Sequence, residues 1–256
     1  MASLDAELLG LAHHFGSSRG IRPFMIDERN LKDPKYCLVI VHADKLQAAY
    51  HTWVGEYRPE SFSRVELEEK AAIEIEKGYH TYIAPIGGDA GGYLNREWIT
   101  GMPAALEVMF HEGFHLRKRQ TKLFSHLEES AAKVIGLYMA REFAMQHGCE
   151  ELVSQVEKRF QDQEQYGVEF GQKVNTRLEE LRAGKVITST DTFNNAKLYF
   201  EYAYYGHYTL CRDVLRTLGT FRSYVELISG LPKNFTEGKL ILREVSTAEK
   251  CRVFSL

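Results

Sequence analysis

The chain has 256 residues, 44% of them hydrophobic and 26% charged, ordinary globular values that exclude long disordered spans and leave ample material for a core. A formal net charge of -3 argues against a general nucleic-acid surface. No run approaches the roughly eighteen apolar residues of a membrane span, and the widely spaced Cys37, Cys149, Cys211 and Cys251 form no C-x-x-C pair, which excludes a zinc ribbon and a dense disulfide framework.

The start, Met1-Ala2-Ser3-Leu4-Asp5, carries an acid early and lacks the basic and apolar regions of a secretory signal. With the cysteine usage, this leads to the expectation of a soluble, cytoplasmic protein. A short helix is expected over 4–14, ended by the loop Gly16-Ser17-Ser18-Arg19-Gly20. The β-branched run Tyr36-Cys37-Leu38-Val39-Ile40-Val41 predicts a strand, 44–53 has mixed periodicity, and 63–77 predicts a helix with Val65, Leu67, Ala71, Ile73 and Ile75 among acids and lysines. Tyr79-His80-Thr81-Tyr82-Ile83-Ala84 predicts a second strand, followed by the glycine-rich run from Pro85 to Tyr93. No Gly-Lys-Ser/Thr ends that run, so it is not a phosphate loop. Residues 80–95 are expected either to offer an extended edge to which a substrate backbone adds as a strand, or to be a plain surface connection.

The stretch with the densest chemistry is Leu106-Glu107-Val108-Met109-Phe110-His111-Glu112-Gly113-Phe114-His115, followed by Ser125-His126-Leu127-Glu128-Glu129-Ser130-Ala131-Ala132. On a helix, His111 and His115 leave one face about 6 Å apart along the axis, a separation that suits two nitrogens on one zinc ion. Glu112 sits beside the first imidazole, where it can hold a water and take its proton. A third protein ligand is needed. If the chain turns near Lys122 and a second helix returns antiparallel, Glu129 comes back level with His115. Ser125 and Glu128 have the spacing of a capping box, which gives Glu128 another task and makes Glu129 the preferred ligand.

The second helix is expected to run to about residue 146 with Gly148 as its cap, its small face at Ala132, Gly136 and Ala140 allowing close approach of the metal helix. Residues 150–183 read as a solvated, charge-laced helical arm with a break or bend near 163–167. Helix is expected again from Asn195 to Leu218, with Tyr199, Phe200, Tyr202, Tyr204, Tyr205 and Tyr208. Tyrosines at helical spacing serve a core, but hydrolysis at a metal also needs an oxyanion donor, and Tyr204, Tyr205 or His207 can supply one. A last helix over 221–228 stops at Leu231-Pro232, leaving 239–245 as an edge strand or tail. The expected fold is α+β and mainly α-helical, with zincin-like catalytic helices and a small β-sheet in the N-terminal third. It is expected as one domain, 1–256, with an α+β lead-in (1–100), a helical metal-binding part (101–232) and a C-terminal tail (233–256).

Taken together, His111-Glu112-Gly113-Phe114-His115, Glu129-Ser130-Ala131-Ala132 and Phe193-Asn194-Asn195-Ala196-Lys197-Leu198 with Tyr204 beyond it resemble the predicted zinc aminopeptidase family of bacteria. That family pairs an H-E-x-x-H helix with an N-E-S-x-A helix and a later N-N-A-x-L segment followed by a tyrosine. The resemblance covers three short motifs within about residues 104–230 and none of the first hundred. It implies Zn2+ held by His111, His115 and Glu129, with Glu112 as general base and Tyr204 as the favoured aromatic. Two departures stand out: Glu128 occupies the place of the family's asparagine, and the hairpin is about one residue longer.

The expected function is a zinc-dependent hydrolase of the gluzincin type, a metallopeptidase resembling aminopeptidases and acting on a peptide substrate. No nucleic-acid or membrane partner is expected. An aminopeptidase also needs a carboxylate for the substrate amine, and Asp89 and Glu201 are the candidates. The competing readings are a metal-stabilised helical binding protein without catalysis and a metal hydrolase of non-peptide amides.

Overall fold

The computed structural model describes residues 5–26, 31–44, 48–51, 64–89, 93–118, 125–185, 188, 193–232 and 234–253. The fold is α+β and mainly α-helical. Contacts gather the chain into two compact units, each assembled from distant segments: residues 1–32, 88–168 and 203–256 form the first, and 33–87 with 169–202 the second.

The first unit opens with α1 (Ala6–Ser18), whose N-cap Asp5 accepts the Leu8 N–H. The helix runs on to Ser18, into the stretch 16–20 expected as a loop, and Arg19-Gly20 form the turn that ends it. Ser17 and Ser18 turn their hydroxyls back onto the carbonyls of His13 and Phe15, so these serines complete the last turn where a break was expected. A three-stranded sheet of β1 (Leu31–Lys32), β6 (Tyr93–Asn95) and β5 (Gly88–Asp89) has the order β1-β6-β5. Thus part of the 80–95 stretch does form an edge strand, and this strand, β5, lies against α3 (Met102–Lys118).

Helix α4 (Ser125–His147) packs along α3. The contact is closest at Gly136, where a Cβ would stand 2.8 Å from the Glu107 carbonyl and 3.2 Å from the His111 Cβ. The small-residue face therefore works as expected, bringing α4 close to α3. Gly148 donates its N–H to the Ala144 carbonyl at 2.7 Å and so caps α4. The core behind the pair includes the aromatic rings of Phe15, Phe110 and Phe143, all buried.

Helix α5 (Glu150–Arg182) is continuous through 163–167, so no break forms there, and one side of it is packed where a solvated arm was expected. Leu152, Val156 and Phe160 are buried, and Gly167 is where the Tyr208 ring meets the helix: a Cβ there would stand 2.4 Å from that ring. The glycine serves close packing. Residues up to Val168 belong to the first unit and those from Glu169 to the second, which accounts for the change of apolar phase.

The expected single helix over 195–218 is two helices, α6 (Asn195–Tyr205) and α7 (Tyr208–Leu218). A continuous helix would bond the His207 N–H to the Ala203 carbonyl. Instead the Ser130 hydroxyl stands between them, donating to Ala203 O at 3.0 Å and accepting from His207 N at 3.2 Å. A side chain inserted into the ladder, beside Gly206 with its low helix propensity, ends α6.

After α8 (Phe221–Gly230), the segment expected as an edge strand or tail forms α9 (Phe235–Val253). Asn234 caps it, accepting from the N–H groups of Thr236 and Glu237. Its inward residues Phe235, Gly238, Leu242 and Val245 recur at helical spacing, with Leu242 fully buried.

In the second unit β2 (Lys35–His42) lies between β3 (Ala48–His51) and β4 (Tyr79–Ile86), antiparallel to both. Leu38 and Ile40 pack on Leu67 and Ala71 of α2 (Arg64–Glu76), while Cys37, Val39 and Val41 pack with Ala196 of α6. A strand covered on both faces is apolar throughout, hence the unbroken hydrophobic run in the sequence. The Asn194-Asn195 pair ties this unit together. Asn194 donates to Thr81 O and accepts from the N–H groups of Ala196 and Lys197, capping α6. Asn195 donates through Nδ2 to the carbonyls of His42 and Ala43 and accepts from Arg177 Nε at 2.6 Å.

Candidate metal centre

The helical period and the packing at Gly136 converge on one point. His111 Nε2 and His115 Nε2 are 3.2 Å apart, and Glu129 Oε2 lies 3.3 Å from the first and 3.5 Å from the second. Donors placed tetrahedrally at zinc–ligand distances of about 2.0–2.1 Å are separated by about 3.3 Å, so the three atoms already occupy three corners of a zinc-sized tetrahedron. Among the described residues this trio meets the geometric requirement for holding a metal ion. The side chains are 13 to 17% exposed, so the donors are sheltered but not sealed from solvent. The turn near Lys122 lies outside the described residues, but its expected result, Glu129 returning to both imidazoles, is observed.

Glu128 does something the sequence did not disclose. Its carboxylate lies 3.1 Å from His115 Nδ1, a contact that the capping-box reading did not include; the Ser125 side chain on which that reading depends lies outside the described residues. A carboxylate on Nδ1 fixes the tautomer that leaves Nε2 to face the cation. The neighbouring glutamates thus divide the work, Glu129 facing the point of convergence and Glu128 orienting one imidazole.

Charge follows the same pattern. Burial opposes ionisation of Glu129, but the adjacent imidazoles of His115 and His111 outweigh it and hold its carboxyl far below the usual range. Burial likewise opposes the charge on His115, while Glu129, Glu128 and Glu112 hold its imidazolium well above the ordinary value. Glu112 is buried. Three carboxylates around two imidazoles make an excess of negative charge, and a divalent cation would neutralise it while displacing the proton from His115 Nε2.

One turn further along the same helix pair, Glu107 receives Lys133 Nζ at 2.6 Å and Arg159 Nε at 2.5 Å. Burial raises its pKa, but the two cations prevail and bring it down to about 2. This buried ion cluster braces α3, α4 and α5 directly beside the donors.

The three oxyanion candidates take different places. Tyr204 sets its ring 6.3 Å from that of His111. Tyr205 donates its hydroxyl to Gln163, and His207 packs against Phe235 of α9 at 5.2 Å. Of the two acids considered for a substrate amine, the Asp89 side chain lies outside the described residues, and Glu201 belongs to the second unit, where it faces Lys197 at 3.8 Å. The Asn194-Asn195 motif holds the second unit together and is explained there by capping and buried hydrogen bonds.

No family model matches the chain, and no curated protein or solved structure matches it either.

Proposed function

We propose that the protein is a zinc-dependent hydrolase of the gluzincin type that cleaves peptide bonds. The observation that supports this most directly is the triangle of His111 Nε2, His115 Nε2 and Glu129 Oε2, with sides of 3.2, 3.3 and 3.5 Å, on the helix that also carries Glu112. Zinc held there would polarise a substrate carbonyl and acidify a water molecule. Glu112 takes the proton of the attacking water and delivers it to the leaving amine. Tyr204, beside His111, donates its hydroxyl to the oxygen that becomes negative as the carbonyl turns tetrahedral. Glu128 keeps His115 in the productive tautomer throughout.

Metal analysis of the purified protein should find about one zinc per chain, with strongly reduced occupancy in His115→Ala and Glu129→Ala. Glu112→Gln should keep its zinc and lose turnover against aminoacyl and internally quenched peptide libraries. Full occupancy in Glu129→Ala would refute the ligand set. No cleavage by the parent across the peptide libraries would refute the peptidase assignment, and Glu112→Gln turning over peptides like the parent would refute the role of Glu112.

A further inference from the structure

The polar contacts behind the metal centre form a closed circuit. Glu107, one turn before His111, holds Lys133 Nζ of α4 at 2.6 Å and Arg159 Nε of α5 at 2.5 Å. One turn beyond Arg159, the Gln163 side chain accepts the Tyr205 hydroxyl at 2.5 Å. Lys133 closes the circuit, its Nζ standing 5.6 Å from the centre of the Tyr205 ring, within cation–π reach. All of these residues belong to the first unit. Arg159, Gln163 and Tyr166, whose ring meets that of Tyr205 edge-on at 4.9 Å, recur at helical spacing on one face of α5. That face therefore braces α3 through Glu107 and the end of α6 through Tyr205.

The end of α6 depends on such a brace. The Ser130 hydroxyl stands between Ala203 O and His207 N, so no regular ladder carries α6 on into α7. Tyr204 and Tyr205 are consecutive in this last turn and leave the helix about 100° apart. The Tyr204 ring lies 6.3 Å from that of His111, while Tyr205 turns into the circuit. A planar peptide joins the two residues, so what fixes the Tyr205 ring also sets the direction in which Tyr204 leaves the turn. Displacing a reacting group by about 1 Å can cost about a hundredfold in rate.

We propose that Tyr205, tied to Gln163 and packed against Lys133, is a positioning residue that aims the Tyr204 hydroxyl at the metal centre. This deepens the peptidase reading and rests on it for the use of Tyr204 in turnover. Tyr205, itself an oxyanion candidate by sequence, thereby takes a different task, with its hydroxyl engaged by Gln163. Lys133 becomes common to both halves of the site: one contact reaches the turn before His111, the other the residue after Tyr204.

The test uses the zinc-loaded protein. Tyr205→Phe removes one hydroxyl, and Gln163→Met removes its acceptor. Each should lower kcat by about tenfold with KM and zinc content unchanged. The loss should vanish against Tyr204→Phe: Tyr204→Phe/Tyr205→Phe should turn over as Tyr204→Phe does, because Tyr205 acts only through its neighbour. Parent-like kcat in either single variant, loss of zinc from either, or a further loss in the double variant would overturn the proposal. A second measurement is independent of turnover. Fluorotyrosine incorporated at position 204 gives one fluorine NMR resonance, which should move on zinc loading and stop responding to zinc once Tyr205→Phe is added. A resonance that ignores zinc in the parent, or responds equally in the variant, would overturn the positioning role. If the parent cleaves no peptide while Tyr205→Phe abolishes the zinc response, the positioning role stands and the peptidase reading falls.

Discussion

The hydroxyl of Ser130 occupies the gap between Ala203 O and the N–H of His207, at 3.0 and 3.2 Å. The residue next to the metal-facing Glu129 therefore also decides where α6 ends and where Tyr204 stands. In Ser130→Ala the gap closes or two buried groups lose their partner, at about 1–3 kcal/mol. Zinc content should hold, because Glu129 is untouched. With Tyr204 displaced, kcat should fall by about tenfold to a hundredfold with little change in KM. Steady-state kinetics of the zinc-loaded variant checks this, and an unchanged kcat would separate the turn from catalysis.

Glu128 acts through His115. Replacing it with glutamine keeps an acceptor near Nδ1 but removes the charge, so zinc should bind about 10–100-fold more weakly. Chelator competition measures it. Parent-like affinity in Glu128→Gln would show that the 3.1 Å contact does not tune the site.

Gly136 fixes how near α4 comes to the metal helix. A methyl group there meets the Glu107 carbonyl at 2.8 Å and His111 Cβ at 3.2 Å. Gly136→Ala should cost about 1–3 kcal/mol through overpacking and weaken zinc by moving Glu129 away from the imidazoles. Urea melts and zinc titrations are the measurements, and a variant at least as stable as the parent with full affinity would contradict the close packing.

Glu107 gives a pH dependence with a definite sign. Its folded-state carboxyl is depressed from 4.5 to about 2, so its contribution is present above pH 4.5 and is lost as pH falls toward 2, a matter of about 3 kcal/mol. Glu107→Gln should remove that part of the acid sensitivity. It also leaves buried Lys133 facing an amide, so the variant should be about 3–5 kcal/mol less stable at neutral pH. Chemical unfolding from pH 7 to pH 3 of both proteins decides it: parallel curves would show that Glu107 is not the group responsible.

The elements closest to the chemistry were the most legible. A helix over the H-E-x-x-H stretch follows from its good helix formers, and Gly136 announced the close approach of α4 to the Glu107 carbonyl and the His111 Cβ. Other signals were present and misread. Asn234-Phe235-Thr236-Glu237 has the spacing of a helix start, and Asn234 does cap α9, although the apolar run behind it reads equally as a strand. The change of apolar phase over 163–167 suggested a break or bend, because the sequence does not show the Tyr208 ring pressed against Gly167 in a continuous helix.

By itself the sequence determined that His111 and His115 share a face with Glu112 beside them, because a helix sets its period through bonds among near neighbours. It also narrowed the third donor to an adjacent pair of glutamates. Only the tertiary structure decided that Glu129 faces both imidazoles while Glu128 takes Nδ1, and that Ser130 splits one expected helix in two. Those relationships join side chains tens of residues apart, and their geometry follows from how whole helices pack, which no local periodicity encodes.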